Sequence, residues 1–141
     1  MPRFRRERAT EPALTGPVLV LVADDDPVVR EVLQLALESR GWSVVAVADG
    51  TSALEAARRF TPTVALLDWL MPGTYGPDVA AALRADPTTA GLPIVLLTTM
   101  GEQRDVAHGF RSGVDEYLTK PFHPREVIAV VERILARRTD Q

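Results

Sequence analysis

The sequence predicts an α/β fold, a doubly wound five-stranded parallel sheet with helices on both faces. The first observation is that short Val- and Leu-rich runs, such as residues 18–23, recur five times without alternating polar residues. Such runs are typical of strands buried on both faces. The second is that each run is followed, after a short loop, by a segment with the apolar spacing of a helix. This alternation implies a parallel sheet whose crossover connections are right-handed.

The boundaries of the first helix are predicted from single residues. Asp26 followed by Pro27 suits an N-cap and the first helical position, and Gly41 suits the helix end. The inward face is then expected to comprise Val29, Val32, Leu33, Ala36 and Leu37.

The later elements are predicted in the same way. Ser43–Val47 is predicted as the second strand, Asp49 and Gly50 as a turn, and residues 52–60 as the second helix. The other strands are predicted at 63–67, 93–97 and 114–118, and the other helices begin at Pro77, Glu102 and Pro124. The positions expected to face the core are Ala53, Leu54 and Ala57 in the second helix, Val79, Ala80 and Leu83 in the third, and Val127, Ile128, Val131, Ile134 and Leu135 in the last.

The composition limits the class of protein. A chain of 141 residues suffices for one domain with a buried core. Its net charge of -3 provides no strong field for nucleic acid or an anionic membrane, and without cysteine it has neither disulfides nor Cys-ligated zinc. No apolar stretch reaches the length of a membrane span or forms a signal segment. We therefore expect a cytoplasmic protein with a flexible basic extension at 1–17, one domain at 18–138 and a tail at 139–141.

An acidic triplet, Asp24 to Asp26, follows directly on the first predicted strand. Two like charges about 4 Å apart repel by roughly 4 kcal/mol at an effective dielectric near 20, so clustered carboxylates call for a cation. Hard oxygen ligands suit Mg²⁺. Asp26 is accounted for as a helix N-cap, but Asp24 and Asp25 are not. A metal site and a merely acidic helix start both remain open from this triplet alone.

Polar residues follow the predicted ends of four strands. They are Asp24 and Asp25, then Asp68, Thr98 and Lys120, which is the single lysine among 16 basic residues. The carboxyl ends of parallel strands share one edge, where ligands bind in open α/β sheets. There a carboxylate can attack phosphorus to form an acyl phosphate, and a metal can neutralise the developing charge. A hydroxyl and an ammonium can stabilise the phosphoryl oxygens.

These residues lie in segments that resemble the receiver domain of bacterial response regulators from two-component signalling. The matching segments are LVLVADDDP at 19–27, LLDWLMPG at 66–73, LLTTM at 96–100 and EYLTKPF at 116–122. The resemblance covers residues 18 to about 138. It implies a flavodoxin-like (βα)5 fold with strand order 2-1-3-4-5, and a phosphoacceptor domain that is not an enzyme acting on other molecules.

The resemblance also implies a role for each site residue. Asp68 would accept the phosphoryl group, while Asp25 would bind Mg²⁺ (or Mn²⁺) directly and Asp24 largely through water. Asp68 and the backbone carbonyl of Leu70 would complete the protein's metal ligands.

A second group of residues is implied to act after phosphoryl transfer. Thr98 and Tyr117 would form the switch pair, with the hydroxyl moving toward the phosphoryl group and the ring moving inward. Lys120 would bind the phosphoryl group, and the Lys120–Pro121 bond would be cis.

The partners implied are a histidine kinase or histidine phosphotransfer protein and a downstream effector protein. Direct nucleic-acid binding and a membrane span are not expected, and the chain resembles the single-domain regulators. A homodimer through the fourth helix, fifth strand and last helix is left open. Leu70 and Met100 are apolar and cannot orient water, and Tyr75 stands where the family often has Asp, which leads to the hypothesis of a long-lived phosphoryl group.

Three other functions remain as alternatives. A pseudo-receiver scaffold would never be phosphorylated. A phosphatase of the haloacid dehalogenase type also uses an Asp nucleophile, but it needs a second Asp where Leu70 stands. A flavodoxin-like FMN binder would be disfavoured because three carboxylates repel phosphate.

Overall fold

The computed structural model describes residues 18–99 and 113–139. The predicted helix beginning at Glu102 and the apolar Met100 lie outside the described residues, as do the basic extension at 1–17 and the last two residues of the predicted tail. The elements in chain order are β1 (Leu19–Ala23), α1 (Pro27–Glu38), β2 (Ser43–Val47), α2 (Gly50–Phe60), β3 (Val64–Asp68), β4 (Leu70–Met71), β5 (Thr74–Tyr75), α3 (Gly76–Ala85), β6 (Ile94–Thr98), β7 (Glu116–Thr119) and α4 (Pro124–Thr139).

Five strands form one parallel sheet in the order β2-β1-β3-β6-β7. This is the predicted doubly wound order 2-1-3-4-5, so the fold class is confirmed. The strands β4 and β5 form a separate two-residue antiparallel hairpin that was not predicted. The periodicity could not indicate it, because two-residue strands are too short to show a period.

The core has two layers, one on each face of the sheet. Adjacent strand residues such as Leu21 and Val22 point to opposite faces, and both are fully buried. Helices α2 and α3 cover one face, and α1 and α4 cover the other. Each Leu or Val side chain removed from water in this way contributes about 1.5–3 kcal/mol. None of the helices in the described ranges combines the length and the hydropathy that a membrane span requires.

The helix starts are defined by side-chain caps. As predicted, Asp26 caps α1, and its carboxylate accepts a hydrogen bond from the Val28 amide at 2.9 Å. Asp49 caps α2 by accepting from the Ser52 amide at 2.8 Å, and Gly50 is the first helical residue. The prediction of a separate turn at Asp49-Gly50 was therefore wrong, because the Asp is the cap of the helix itself.

Some predicted core faces and boundaries also differ from the structure. Val32 is 38% exposed, and Val130 is buried whereas Ile128 is only partly buried. These positions lie at the margins of apolar stripes, where the packing partner and not the spacing decides burial. Four strands begin one or two residues later than predicted, as is common at element ends.

Candidate functional site

Three carboxylates meet at the carboxyl edge of the sheet. Asp24 and Asp25 follow β1, and Asp68 is the last residue of β3. Since β1 and β3 are parallel neighbours, with Ala23 opposite Leu67, their ends coincide. Carboxylate oxygens of the three side chains lie within 4.8 Å of one another. Asp24 is fully buried and Asp68 is 7% exposed, whereas Asp25 is exposed.

Lys120 joins this cluster from the loop after β7. Its ammonium nitrogen lies 2.9 Å from Asp24 Oδ2 and donates a hydrogen bond to Asp68 Oδ1 at 3.0 Å. The residue is 52 positions from Asp68 along the chain. The parallel order β3-β6-β7 returns the chain to the same edge, which is why the contact forms.

Burial and charge act on Asp68 in opposite directions. Burial is the largest influence on the pKa of Asp68 and raises it, as does the nearby Asp24 charge, while Lys120 and the Trp69 amide lower it; together they leave the pKa raised to about 6. The Asp68 carboxyl is therefore mostly ionised at neutral pH. Burial alone would lower the pKa of Lys120, but its hydrogen bonds and charge interactions with the two carboxylates raise it above the ordinary value. The ammonium thus stays charged.

Hydrogen bonds hold both the side chain and the backbone of Asp24. Asp24 Oδ1 accepts from the Asp26 amide at 2.9 Å, and the Asp24 amide donates to the Val47 carbonyl at 3.1 Å. The guanidinium of Arg30 donates to the Asp24 carbonyl at 2.8 Å. Sequence reasoning missed Arg30. The available signal was a basic residue in the first turns of the helix that begins beside the acidic triplet.

Thr98 ends β6 at the same edge of the sheet. Its side chain is fully buried, and its hydroxyl has no hydrogen-bond partner in the part of the chain that the structure describes. A buried hydroxyl without a partner is costly, by about 1–3 kcal/mol, unless a ligand or water satisfies it. Thr98 is therefore positioned to donate to a group bound near Asp68, since β3 and β6 are neighbours.

The other predicted switch residue, Tyr117, lies on β7 opposite Leu96. Its ring is partly buried against the core layer between the sheet and helices α2 and α3, and not in the acid cluster. Burial raises the pKa of Tyr117, and repulsion from Tyr75, once that phenol is ionised, adds to this effect.

Leu70 begins the hairpin directly after Trp69, with its side chain 59% exposed. The Lys120–Pro121 peptide bond is cis, as the resemblance implied. The Trp69 ring is almost fully buried and meets the Tyr75 ring edge-on, with centroids 5.6 Å apart.

The donor set fits a divalent cation. Three carboxylates and one ammonium leave two formal negative charges in the cluster. Carboxylate oxygens are the ligands that Mg²⁺ prefers, and a charge of two matches the excess. The fold and this site together define a doubly wound α/β protein with an acidic edge whose donor set suits a divalent cation, a lysine beside it, and a buried hydroxyl that has no partner among the described residues. Such a set is suited to receiving a phosphoryl group.

Comparison with known proteins identifies the family. A family model of the response regulator receiver domain matches residues 20–132. The chain therefore belongs to the response regulator receiver domain family of two-component systems.

Its curated relatives are longer proteins. The chain is 43% identical over 122 residues to the DNA-binding response regulator MtrA of Mycolicibacterium smegmatis, covering 86% of this chain and 52% of that protein. It is 44% identical over 123 residues to the probable transcriptional regulatory protein TcrX of Mycobacterium tuberculosis, covering 87% of this chain and 51% of that protein. The chain thus spans about half the length of the curated relatives it matches.

Solved structures agree over nearly their full lengths. A response regulator from Chloroflexus aurantiacus superposes with a TM-score of 0.80 at 37% identity, covering 86% of this chain and 99% of that one. The receiver domain of the sensor histidine kinase PA1611 from Pseudomonas aeruginosa, solved with a magnesium ion in its active-site cleft, gives 0.78 at 30% identity, covering 86% of this chain and 99% of that one.

Proposed function

We propose that this domain is a phosphorylation-dependent switch that accepts a phosphoryl group on Asp68 from a histidine kinase or histidine phosphotransfer protein. The observation that carries the proposal is the contact of Asp68 with Lys120 inside a cluster of three carboxylates. A lone buried carboxylate would not need this arrangement. As a phosphoacceptor signalling domain, it promotes only its own phosphorylation and dephosphorylation.

In the proposed transfer, an ionised oxygen of Asp68 attacks the phosphorus, and the bond from phosphorus to the donor nitrogen breaks. The Lys120 ammonium, already 3.0 Å from Asp68 Oδ1, stabilises charge on the transferring oxygens. The Thr98 hydroxyl, which has no partner among the described residues, donates to another of these oxygens.

The metal ligands in this proposal are the carboxylates of Asp24, Asp25 and Asp68 and the backbone carbonyl of Leu70. Bound Mg²⁺, or Mn²⁺ in its place, supplies charge neutralisation for the phosphoryl oxygens. The charge excess of the cluster and the shared edge of β1 and β3 support this assignment. The hydrogen bonds that hold the Asp24 side chain and backbone support it further, because a rigid ligand loses less entropy on binding.

The proposed switch couples Thr98 to Tyr117. When the Thr98 hydroxyl turns toward the phosphoryl group, it leaves space that the Tyr117 ring can enter. The free hydroxyl supports the first movement, and the partly buried ring supports the second. The outward surface of β7 then changes, and a downstream effector protein would recognise that change.

A protein phosphodonor is favoured by the surface beside the site. An apolar groove borders Lys120 and is lined by α1 and the loop that follows β7, including Val28, Val32 and Phe122. Val28 is 66% exposed and Val32 is 38% exposed, and adjoining exposed apolar side chains of this kind are typical of protein–protein contact sites. A small phosphodonor would leave this groove uncovered, whereas a kinase helix would bury it. This exchange is proposed to occur in the cytoplasm.

The direct partners proposed are proteins and not nucleic acid. MtrA is described as DNA-binding, but the chain matches only about half of that protein. The receiver family matches residues 20–132, and we assign the domain to 18–138 with the basic extension at 1–17 and the tail at 139–141 outside it. The homodimer considered above stays a proposal, because the predicted helix beginning at Glu102, which would form part of its interface, lies outside the described residues.

The rival functions make different predictions for one experiment. The protein is incubated with acetyl phosphate and Mg²⁺, and its intact mass is measured beside an Asp68→Asn variant. We expect the mass of one phosphoryl group on the wild type and none on the variant. A pseudo-receiver would show no addition to either protein. A phosphatase would consume acetyl phosphate without accumulating the adduct.

A further inference from the structure

The first residue of α3 packs against the backbone of the phosphoacceptor. A methyl group built on Gly76 would lie 2.4 Å from the Asp68 carbonyl oxygen and 3.0 Å from the Trp69 carbonyl oxygen. The Gly76 amide donates a hydrogen bond to that Trp69 carbonyl at 2.6 Å. Only glycine allows this approach, since the atoms that a side chain would meet are backbone atoms that cannot rotate away.

A second glycine contacts the hairpin that follows Asp68 and Trp69. Gly50 is the buried first residue of α2, and a methyl group there would lie 2.1 Å from the Thr74 Cγ2. Thr74 belongs to β5, so the start of α2 contacts the hairpin of β4 and β5, while the start of α3 contacts the backbone of Asp68 and Trp69 just before it.

The hairpin itself is well packed. Leu70 pairs with Tyr75 and Met71 with Thr74, and the Met71 side chain is 1% exposed. The Tyr75 ring meets the Trp69 ring edge-on. The segment between Asp68 and α3 is thus held by ladder pairing, by ring packing and by two helix starts. It contains the Leu70 carbonyl that the proposed function assigns to the metal.

We propose that Gly50 and Gly76 are positioning residues for the Mg²⁺ site, which hold the hairpin so that the Leu70 carbonyl and Asp68 keep their mutual geometry. The inference rests on the proposed function, which names these two metal ligands. Mg²⁺ demands near-ideal octahedral geometry at about 2.0–2.1 Å. A methyl group on Gly76 forces its contact with Asp68 open from 2.4 Å to beyond 3.0 Å, a shift of at least 0.6 Å. Such a shift spoils an octahedral site while leaving the sheet intact.

The decisive comparison is Gly76→Ala against Gly91→Ala. A methyl group on Gly91 would meet nothing within 4 Å, so this variant controls for adding the same atoms elsewhere. Mg²⁺ affinity is measured by titration calorimetry, and folding by circular dichroism. We expect Gly76→Ala to weaken Mg²⁺ binding by about tenfold or more, as loss of a ligand-orienting contact does. Gly91→Ala should bind as the wild type does. Unchanged affinity in a folded Gly76→Ala protein overturns the proposal.

A second variant decides the matter should Gly76→Ala not fold. Gly50→Ala meets the Thr74 side chain, and adding Thr74→Ala removes the closest contact, with Cγ2 at 2.1 Å, and leaves only the Cβ, at 2.9 Å. We expect Gly50→Ala to weaken Mg²⁺ binding and the double variant to recover most of the loss. A purely structural role would lower the unfolding temperature with Mg²⁺ affinity unchanged in both, and that result overturns the inference.

The two proposals fail separately in these measurements. Suppose that the wild type binds Mg²⁺, that the glycine variants bind it more weakly, and that the wild type gains no phosphoryl group. This result would contradict the proposed function and leave the positioning role intact. A wild type that is phosphorylated, with glycine variants that bind Mg²⁺ equally well, would sink the positioning role alone. A wild type without Mg²⁺ affinity overturns the positioning role.

Discussion

Replacing Lys120 by Met tests how the acid cluster is stabilised. The ammonium lies 2.9 Å and 3.0 Å from two carboxylates whose side chains are 0% and 10% exposed. Removing one partner of a buried ion pair costs about 3–5 kcal/mol, because the remaining charge is left without compensation. Lys120 keeps 22% of its side chain exposed, so we take the lower end, about 3 kcal/mol, for Mg²⁺-free protein at neutral pH.

The reasoning also predicts when this loss disappears. A bound divalent cation replaces the missing charge, so the difference in unfolding free energy should shrink in excess Mg²⁺. It should also shrink on acidification, because protonation of Asp68, whose pKa is already raised to about 6, removes one of the two charges. The assay is urea unfolding followed by circular dichroism, in chelator and in Mg²⁺, at neutral and mildly acid pH.

A matched control is Arg58→Met, which removes an exposed ion pair with Asp86 far from the cluster. Its small effect should be the same with and without Mg²⁺. The reasoning is refuted if Lys120→Met costs less than about 1 kcal/mol in chelator, the range of an exposed pair. It is equally refuted if the cost is identical in the two buffers.

Three further predictions concern other parts of the domain. Glu116 accepts hydrogen bonds from Arg133. These hydrogen bonds and the charge of Arg137 lower the pKa of Glu116, although burial acts to raise it. Its stabilisation is therefore present above the ordinary carboxyl pKa and lost as pH falls through the depressed one. Glu116→Gln should lower the free energy of unfolding by about 1 kcal/mol at neutral pH, since the arginines are half exposed, and by little in strong acid. The measurement is urea unfolding at both pH values, and an equal cost at both would contradict this account. Leu70→Asn places an amide that can orient water beside the site, so it should shorten the half-life of the phosphorylated protein. The half-life is measured by intact mass after removal of the phosphodonor. A wild-type half-life of seconds would contradict the hypothesis of a long-lived phosphoryl group. Trp69, next to Asp68 and almost fully buried, should change its fluorescence on Mg²⁺ addition, and a flat titration would count against the metal site.

The order of strands and helices could be predicted because a strand buried on both faces requires a short, continuous run of apolar residues, which is visible in the sequence. Runs such as Val64–Asp68 have no polar alternation, and Asp26 beside Pro27 marks a helix start within two residues. The meeting of Asp24, Asp68 and Lys120 could be predicted for the same reason. Once strands are parallel, their carboxyl ends must share an edge.

Other features depended on packing between distant segments, for which the sequence has no local signal. Arg30 binds the Asp24 carbonyl, and Val32 stays exposed because no neighbour covers it among the described residues. The hairpin after Asp68 and the close approach of Gly76 to the Asp68 carbonyl likewise appear only when the helices are seated. Periodicity indicates which face of an element is apolar. Differences of a few tenths of an ångström in contact distance depend on how the packed faces come together.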